Sequence, residues 1–179
     1  ERPAEYARGP VFKKGGFGYL KKMVPAFNNM AKASPVLLLT DLDTYACPPS
    51  LVNDWLVHPK HPLFLFRVAV REVEAWLLAS DKELSSFLSM RKSLNIPAPE
   101  TLDDPKAELL KLAASSPRRE LRDAITRRNR GGNLLQGPAY NSTLAGFLDQ
   151  HWSAAAACDK CSSLQRIFDA LSNLEKNFN

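Results

Sequence analysis

The chain is poor in everything needed for a disulfide framework, a membrane span or a zinc site. It holds three cysteines in 179 residues, an odd number that argues against paired disulfides and fits a reducing cytoplasm. No apolar run approaches the roughly 20 residues that a spanning helix needs. A basic segment followed by an apolar one, the mark of a secretory leader, is also missing. The opening ERPAEYARGP has no initiator methionine and reads as the interior of a longer chain cut at its amino terminus. CDKC at 158–161 is a single thiol pair with His151 nearby, whereas zinc takes four ligands, and Cys47 lies far off in a proline loop. The glycine turn GGFGYLKK lacks the spacing of a P-loop or a dinucleotide fingerprint. No serine sits in a nucleophile elbow. The three histidines lie in or beside turn-like stretches; His58 and His61 bracket prolines and belong by default to a surface loop.

What remains is an ordinary globular composition, 45% apolar and 24% charged, with room for one domain and a proper core. The net charge of +5 favours polyanionic partners only mildly. Along the chain, strand-like segments come first and helical ones after. Residues 4–12 read as a short or bent strand, since Gly9 and Pro10 interrupt it. Leu20, Met23, Val24, Phe27 and Met30 recur at helical spacing, with Pro25 read into the helix's first turn. VLLLTDLD at 36–43 and LFLFRVAV at 63–70 are apolar runs of strand length, the first expected to be buried on both faces. Between them a helix over LVNDWLV is expected, capped by Ser50. From residue 71 onward the pattern is helical. A single helix is expected through EVEAWLLASDKELSSFL, another begins at Pro105 with Asp104 as its cap, and a very basic one runs over PRRELRDAITRR to the stop NRGG. GPAYNSTLAGFLDQHW and SSLQRIFDALSNLEKNF supply two more.

Two groups carry chemistry. Asp41 and Asp43 are two residues apart at the end of a strand and so project to the same side. In open α/β sheets that carboxyl edge is where ligands sit. Glu72 and Glu74 end the next strand, and four carboxylates on neighbouring strand ends suit Mg²⁺ or Mn²⁺ and phosphoryl transfer. Salt bridges to Arg67 or Arg71 are the plainer reading of the two glutamates. The second group is basic: Lys13, Lys14, Lys21 and Lys22 around the glycine turn, Arg71 beside the glutamates, and Arg118, Arg119, Arg122, Arg127, Arg128 and Arg130 later. Such clusters suit phosphate backbones. Glu120 and Asp123 are interleaved with the arginines, so an ordinary salt-bridged face stands beside the nucleic-acid reading.

The segments GGFGYLKKMVPAF, LLLTDLDTYACPPSL, FRVAVREVEAWLLA, IPAPETLDDPK, GPAYNSTLAGFLDQHW and SSLQRIFDAL, in that order, resemble a bacterial family of TOPRIM-like domains of unknown function. Its members are often encoded beside an AAA- or ABC-type ATPase, a setting similar to that of the overcoming-lysogenization-defect nucleases. The resemblance implies a Rossmannoid α/β core over residues 1–79, with a mostly parallel sheet that lacks its first strand, and a helical extension over 80–179. It implies a cytoplasmic, Mg²⁺- or Mn²⁺-dependent nuclease of an anti-phage system, acting on DNA before RNA, with an ATPase partner and self-association left open. Asp41 and Asp43 would be the family's D-x-D, Glu74 the VEAW glutamate with Trp76 packed beside it, and Lys106 the lysine facing the scissile phosphate. Two departures accompany it: the strand bearing the first TOPRIM glutamate is absent, and Ser80 stands where an acid is expected. The alternative reading is an inactive specificity subunit that docks on an ATPase or on nucleic acid.

Overall fold

A computed structural model of the chain describes Val11 and residues 16–178, apart from the side chains of 177 and 178. Apart from Val11, the strand expected over 4–12 lies outside the described residues, as do Lys13 and Lys14. The chain is mixed α/β, mainly helical, with a small parallel sheet. Helix α1 (Gly16–Met30) leads into β1 (Val36–Asp41), α2 (Pro48–Trp55) and β2 (Phe64–Ala69). The two strands pair in parallel, from Val36 against Phe64 to Asp41 against Ala69. Parallel neighbours need a crossover, and α2 supplies it.

Alternation divides the strand side chains between two faces. Leu38, Phe64, Phe66 and Val68 form one core with Val24 and Phe27 of α1 and Leu51 and Trp55 of α2. On the opposite face Leu39 and Ala69 meet Trp76, Ala157, Cys161, Leu164 and Ile167. The expectation of burial on both faces is not met by β1, whose Leu37 is 45% exposed. It is β2 that is buried, with only Arg67 half-buried, because the final helix packs on β2.

The helical run after residue 71 is broken where one helix was expected. Helix α3 (Glu74–Ala79) stops at Ser80, whose ψ of 56° leaves the helical region, and α4 (Asp81–Phe87) restarts. Ser80 is buried; its hydroxyl donates to Glu83 and accepts the Ser153 N–H at 3.0 Å. Every residue of α3 is buried, since α3 serves two cores at once. Trp76 and Ala79 join the sheet-side cluster, while Leu77 and Leu78 join Leu84, Leu109, Ile125 and Phe147. Helix α5 (Pro105–Ala114) begins as the sequence indicates: Asp104 Oδ1 accepts the Ala107 N–H at 2.6 Å. Pro25, by contrast, sits deep inside α1 rather than in its first turn.

The basic helix α6 (Arg119–Ile125) is shorter than its charge pattern suggests. Thr126–Arg128 form a strand, β3, antiparallel to β4 (Leu134–Gln136). β-Branched Ile125 and Thr126 favour extension, and Gly132, at φ +80°, turns the chain back. The hairpin returns against the end of α6 through Gly137, whose N–H donates to Ile125 O at 2.8 Å. A Cβ at Gly137 would lie 2.4 Å from Ala124 O and 2.8 Å from Thr126 N. Both are backbone atoms that cannot yield, so Gly137→Ala is expected to cost about 3 kcal/mol, read from denaturant unfolding.

Helices α7 (Tyr140–Gln150), α8 (Ala154–Lys160) and α9 (Ser162–Phe178) complete the chain. Asp81 is buried and anchors this end, accepting from Lys160 Nζ at 2.6 Å and from the Ile96 N–H at 3.0 Å. Glu100 receives the N–H groups of Ser162 and Ser163 at 3.0 and 3.1 Å, a carboxylate holding the amino-terminal end of α9. The segment after residue 80 thus shares its core with Leu77 and Leu78 of α3, and α9 packs back on β2. Among the described residues no helix is long and apolar enough to cross a membrane.

Candidate active-site cleft

Both strands end in left-handed backbone. Asp43 has φ +52° and Arg71 φ +64°, conformations that cost non-glycine residues about 1 kcal/mol or more. The Leu42 and Asp43 N–H groups both point at Arg71 O, at 3.2 and 3.4 Å. The Val73 N–H donates to Asp41 Oδ1 at 2.9 Å. These bonds clip the tip of β1 to the turn after β2, which brings the four sequence-predicted acids to one end of the sheet.

A cleft of about 450 Å³ opens there, lined by Phe17 and Leu20 of α1, Asp41, Asp43, Glu72 and Lys106. Glu72 is tied to α5: its Oε2 accepts the Lys106 N–H at 3.0 Å and its Oε1 lies 3.2 Å from Lys106 Nζ. Lys106 Nζ also lies 3.4 Å from Glu74 Oε1, which accepts the Tyr140 hydroxyl at 2.8 Å. Glu74 is 5% exposed, and its Oε2 is buried with no hydrogen-bond partner among the described residues. A chain therefore runs from Tyr140 through Glu74 and Lys106 to Glu72. Among the described residues neither glutamate pairs with arginine; both share the lysine. The Asp43 side chain is exposed, and its carboxylate has no hydrogen bond or ion pair among the described residues.

The electrostatics follow from burial and from crowding of like charge. Burial, opposed by the Val73 N–H and reinforced by the charge of Glu74, holds the Asp41 carboxyl above its usual 3.8. Burial works against the Lys106 ammonium, but the charges of Glu74 and Glu72 outweigh it and hold its pKa above the usual 10.5. Burial, then the Glu74 carboxylate, pushes the Tyr140 phenol far up, so it remains a donor. A raised Asp41 means that the folded protein pays for ionising it. Asp41→Asn keeps an acceptor for Val73, and is expected to raise the melting temperature at pH 7 by an amount worth about 0.5–1 kcal/mol. That gain disappears as the pH falls through the Asp41 pKa.

The other predicted residues spread out. Arg127, on β3, lines a second cavity of about 560 Å³ that also touches Lys106, so it stands beside the cleft. It and Arg128 brace the hairpin, donating to Gln136 O and Gly132 O at 3.0 and 2.7 Å. Arg119 pairs with Asp123 at 3.2 Å and Arg122 donates to Ser116 O at 3.0 Å, while Arg118 is exposed at the start of α6. Lys21 pairs with Asp54 at 2.6 Å and Lys22 is exposed. Arg71 contributes its carbonyl to the clip. Cys161 is buried, and burial pushes its thiol up to about 12. Tyr140 was not singled out from the sequence, where a lone tyrosine at a helix start carries no signal. Trp76 packs in the sheet-side core, its indole N–H donating to Ser163 Oγ at 2.9 Å, while the partners of Glu74 are Lys106 and Tyr140.

Among the described residues no group of three acidic, histidine or cysteine side chains is placed to hold a metal ion by itself. Mg²⁺ does not require one, because it commonly takes one or two carboxylates and completes its shell with water and substrate phosphate. The unengaged carboxylate of Asp43 and that of Asp41, which lines the same cleft, are hard oxygen donors of the kind such an ion takes. In comparisons with known proteins, the chain matches no family model, no curated protein and no solved structure.

Proposed function

We propose that this cleft is the phosphodiester-cleaving centre of a TOPRIM-like, Mg²⁺- or Mn²⁺-dependent nuclease, acting on DNA before RNA. The observation that carries the reading is the meeting of Asp41, Asp43, Glu72 and Lys106 in one cleft at the carboxyl ends of two parallel strands. Asp41 and Asp43 would hold the ion, with Glu72 lining the same cleft. When bound, the ion supplies Lewis-acid polarisation of the phosphate and a more acidic water. Lys106 offers a fixed positive charge at the cleft wall, where charge develops on a scissile phosphate. Glu72 and Glu74 hold that ammonium in place, and the Tyr140 hydroxyl fixes Glu74 from behind. Phe17 and Leu20 form an apolar wall that limits water. Arg127 extends positive charge away from the cleft along the hairpin. The family resemblance adds the setting, an anti-phage system with an AAA- or ABC-type ATPase partner.

One observation favours the second reading, an inactive specificity subunit. The Lys106 ammonium already neutralises Glu72 and Glu74, where a metal-binding pair would stand free. Nicking of supercoiled plasmid separates the two. The nuclease reading expects conversion to open circles with Mn²⁺ or Mg²⁺ and none with EDTA. Absence of nicking under all metal conditions, together with co-purification of an ATPase, selects the subunit.

A further inference from the structure

A second cleft, of about 560 Å³, runs along the outer edge of β2 between α2 and α9, away from the acidic site. Lys60, Arg67 and Arg166 line it. None of the three has an ion pair among the described residues. The carbonyls of Leu63 and Ala69 bond to β1, so by alternation those of Phe64 and Phe66 face outward. Two of the cations cap this edge: Lys60 Nζ donates to Phe64 O and Arg67 Nη1 to Phe66 O, both at 3.0 Å. Capping a sheet edge accounts for one donor on each side chain. It leaves the rest of the Arg67 fork available, and Arg67 Nε is buried with no acceptor among the described residues. Burial lowers the pKa of both Arg67 and Lys60, and for Lys60 the Arg67 charge adds to it, as expected of neighbouring cations. The acid that lines the cleft, Asp169, is engaged by Gln165 Nε2 at 2.8 Å. Facing the cations, α2 presents Pro48, Pro49 and Val52, flat apolar surface beside the polar Asn53.

We infer that this cleft binds a small phosphate monoester, with a nucleotide as the form that its apolar wall fits. A dianionic phosphate supplies the acceptors that Arg67 lacks and offsets the net charge of +2 that the three cations and Asp169 leave in the cleft, through the fork geometry that guanidinium offers phosphate. The prolines give a ring something to lie against, and the volume is in the range of small-molecule sites. The site is independent of the acidic cleft and of the nuclease reading.

Calorimetric titration of the whole chain with AMP, adenosine and inorganic phosphate tests it. AMP is expected to bind at least about tenfold more tightly than either fragment. Arg67→Met and, separately, Arg166→Ala should each weaken AMP about tenfold or more; Arg166 is exposed on α9, so its loss leaves the core intact. Asp43→Asn, in the other cleft, should leave AMP binding unchanged. No binding of AMP, equal binding of adenosine or phosphate, or wild-type affinity in Arg166→Ala would each overturn the inference. So would loss of binding in Asp43→Asn with retention in the arginine variants, since the nucleotide would then sit among the acids.

Discussion

Replacing Asp41 and Asp43 together by alanine is expected to remove Mn²⁺-dependent nicking, by at least about a thousandfold, the scale on which lost transition-state stabilisation acts. The fold should survive. Asp41 contributes one hydrogen bond, from the Val73 N–H, worth about 1 kcal/mol net. Its removal also takes away a charge that burial and Glu74 disfavour. Asp43 is exposed and stands at φ +52°, where asparagine and aspartate are better tolerated than alanine. The paired asparagine variant is therefore the cleaner form of the test. It keeps the acceptor for Val73 and the left-handed turn, and removes only the negative charge. Equal loss of cleavage in both pairs, with melting temperatures at or above wild type for the asparagine pair, assigns the loss to chemistry. Cleavage within a fewfold of wild type in either pair contradicts the nuclease reading.

Lys106→Met should destabilise the protein by about 2–3 kcal/mol, the largest stability effect of any single charged side chain in the cleft. Glu74 is 5% exposed and would lose its cationic neighbour at 3.4 Å, leaving Glu72 and Glu74 to repel each other. The figure lies below the full cost of breaking a buried pair because the side chains of Lys106 and Glu72 remain 34% and 26% exposed. The pH dependence has a definite sign. The pKa of Lys106 is raised above 10.5 in the folded protein. Its stabilisation is thus fully present below that value and lost as the pH rises through the folded pKa. Lys106→Arg, which keeps the charge, should recover most of the loss. Urea unfolding of the two variants and the wild type at pH 7 reads both outcomes.

The sheet was legible because its two strands are dense apolar runs of the right length, and because D-x-D and E-x-E fall where parallel strands end. Asp104 before Pro105 marked the start of α5 for the same local reason. What could not be read depends on distant partners. The break at Ser80 is fixed by Glu83 and by the Ser153 backbone, the latter far along the chain. The strand Thr126–Arg128 carries the same arginine-rich composition as the helix before it, and pairing with Leu134–Gln136 decides its conformation. Lys106 was expected to face a phosphate, but its ties to Glu72 and Glu74 cross more than thirty residues of sequence. Tyr140 reaches Glu74 across a still longer span, so no local pattern announces it.

The most direct measurement is Mn²⁺ binding to the whole chain, followed by the electron-spin resonance signal of the free ion. The account predicts one bound ion per chain, displaced by Mg²⁺ and lost when Asp41 and Asp43 both become asparagine. Undiminished binding in that variant, or none in the wild-type chain with or without a short DNA strand, would contradict it.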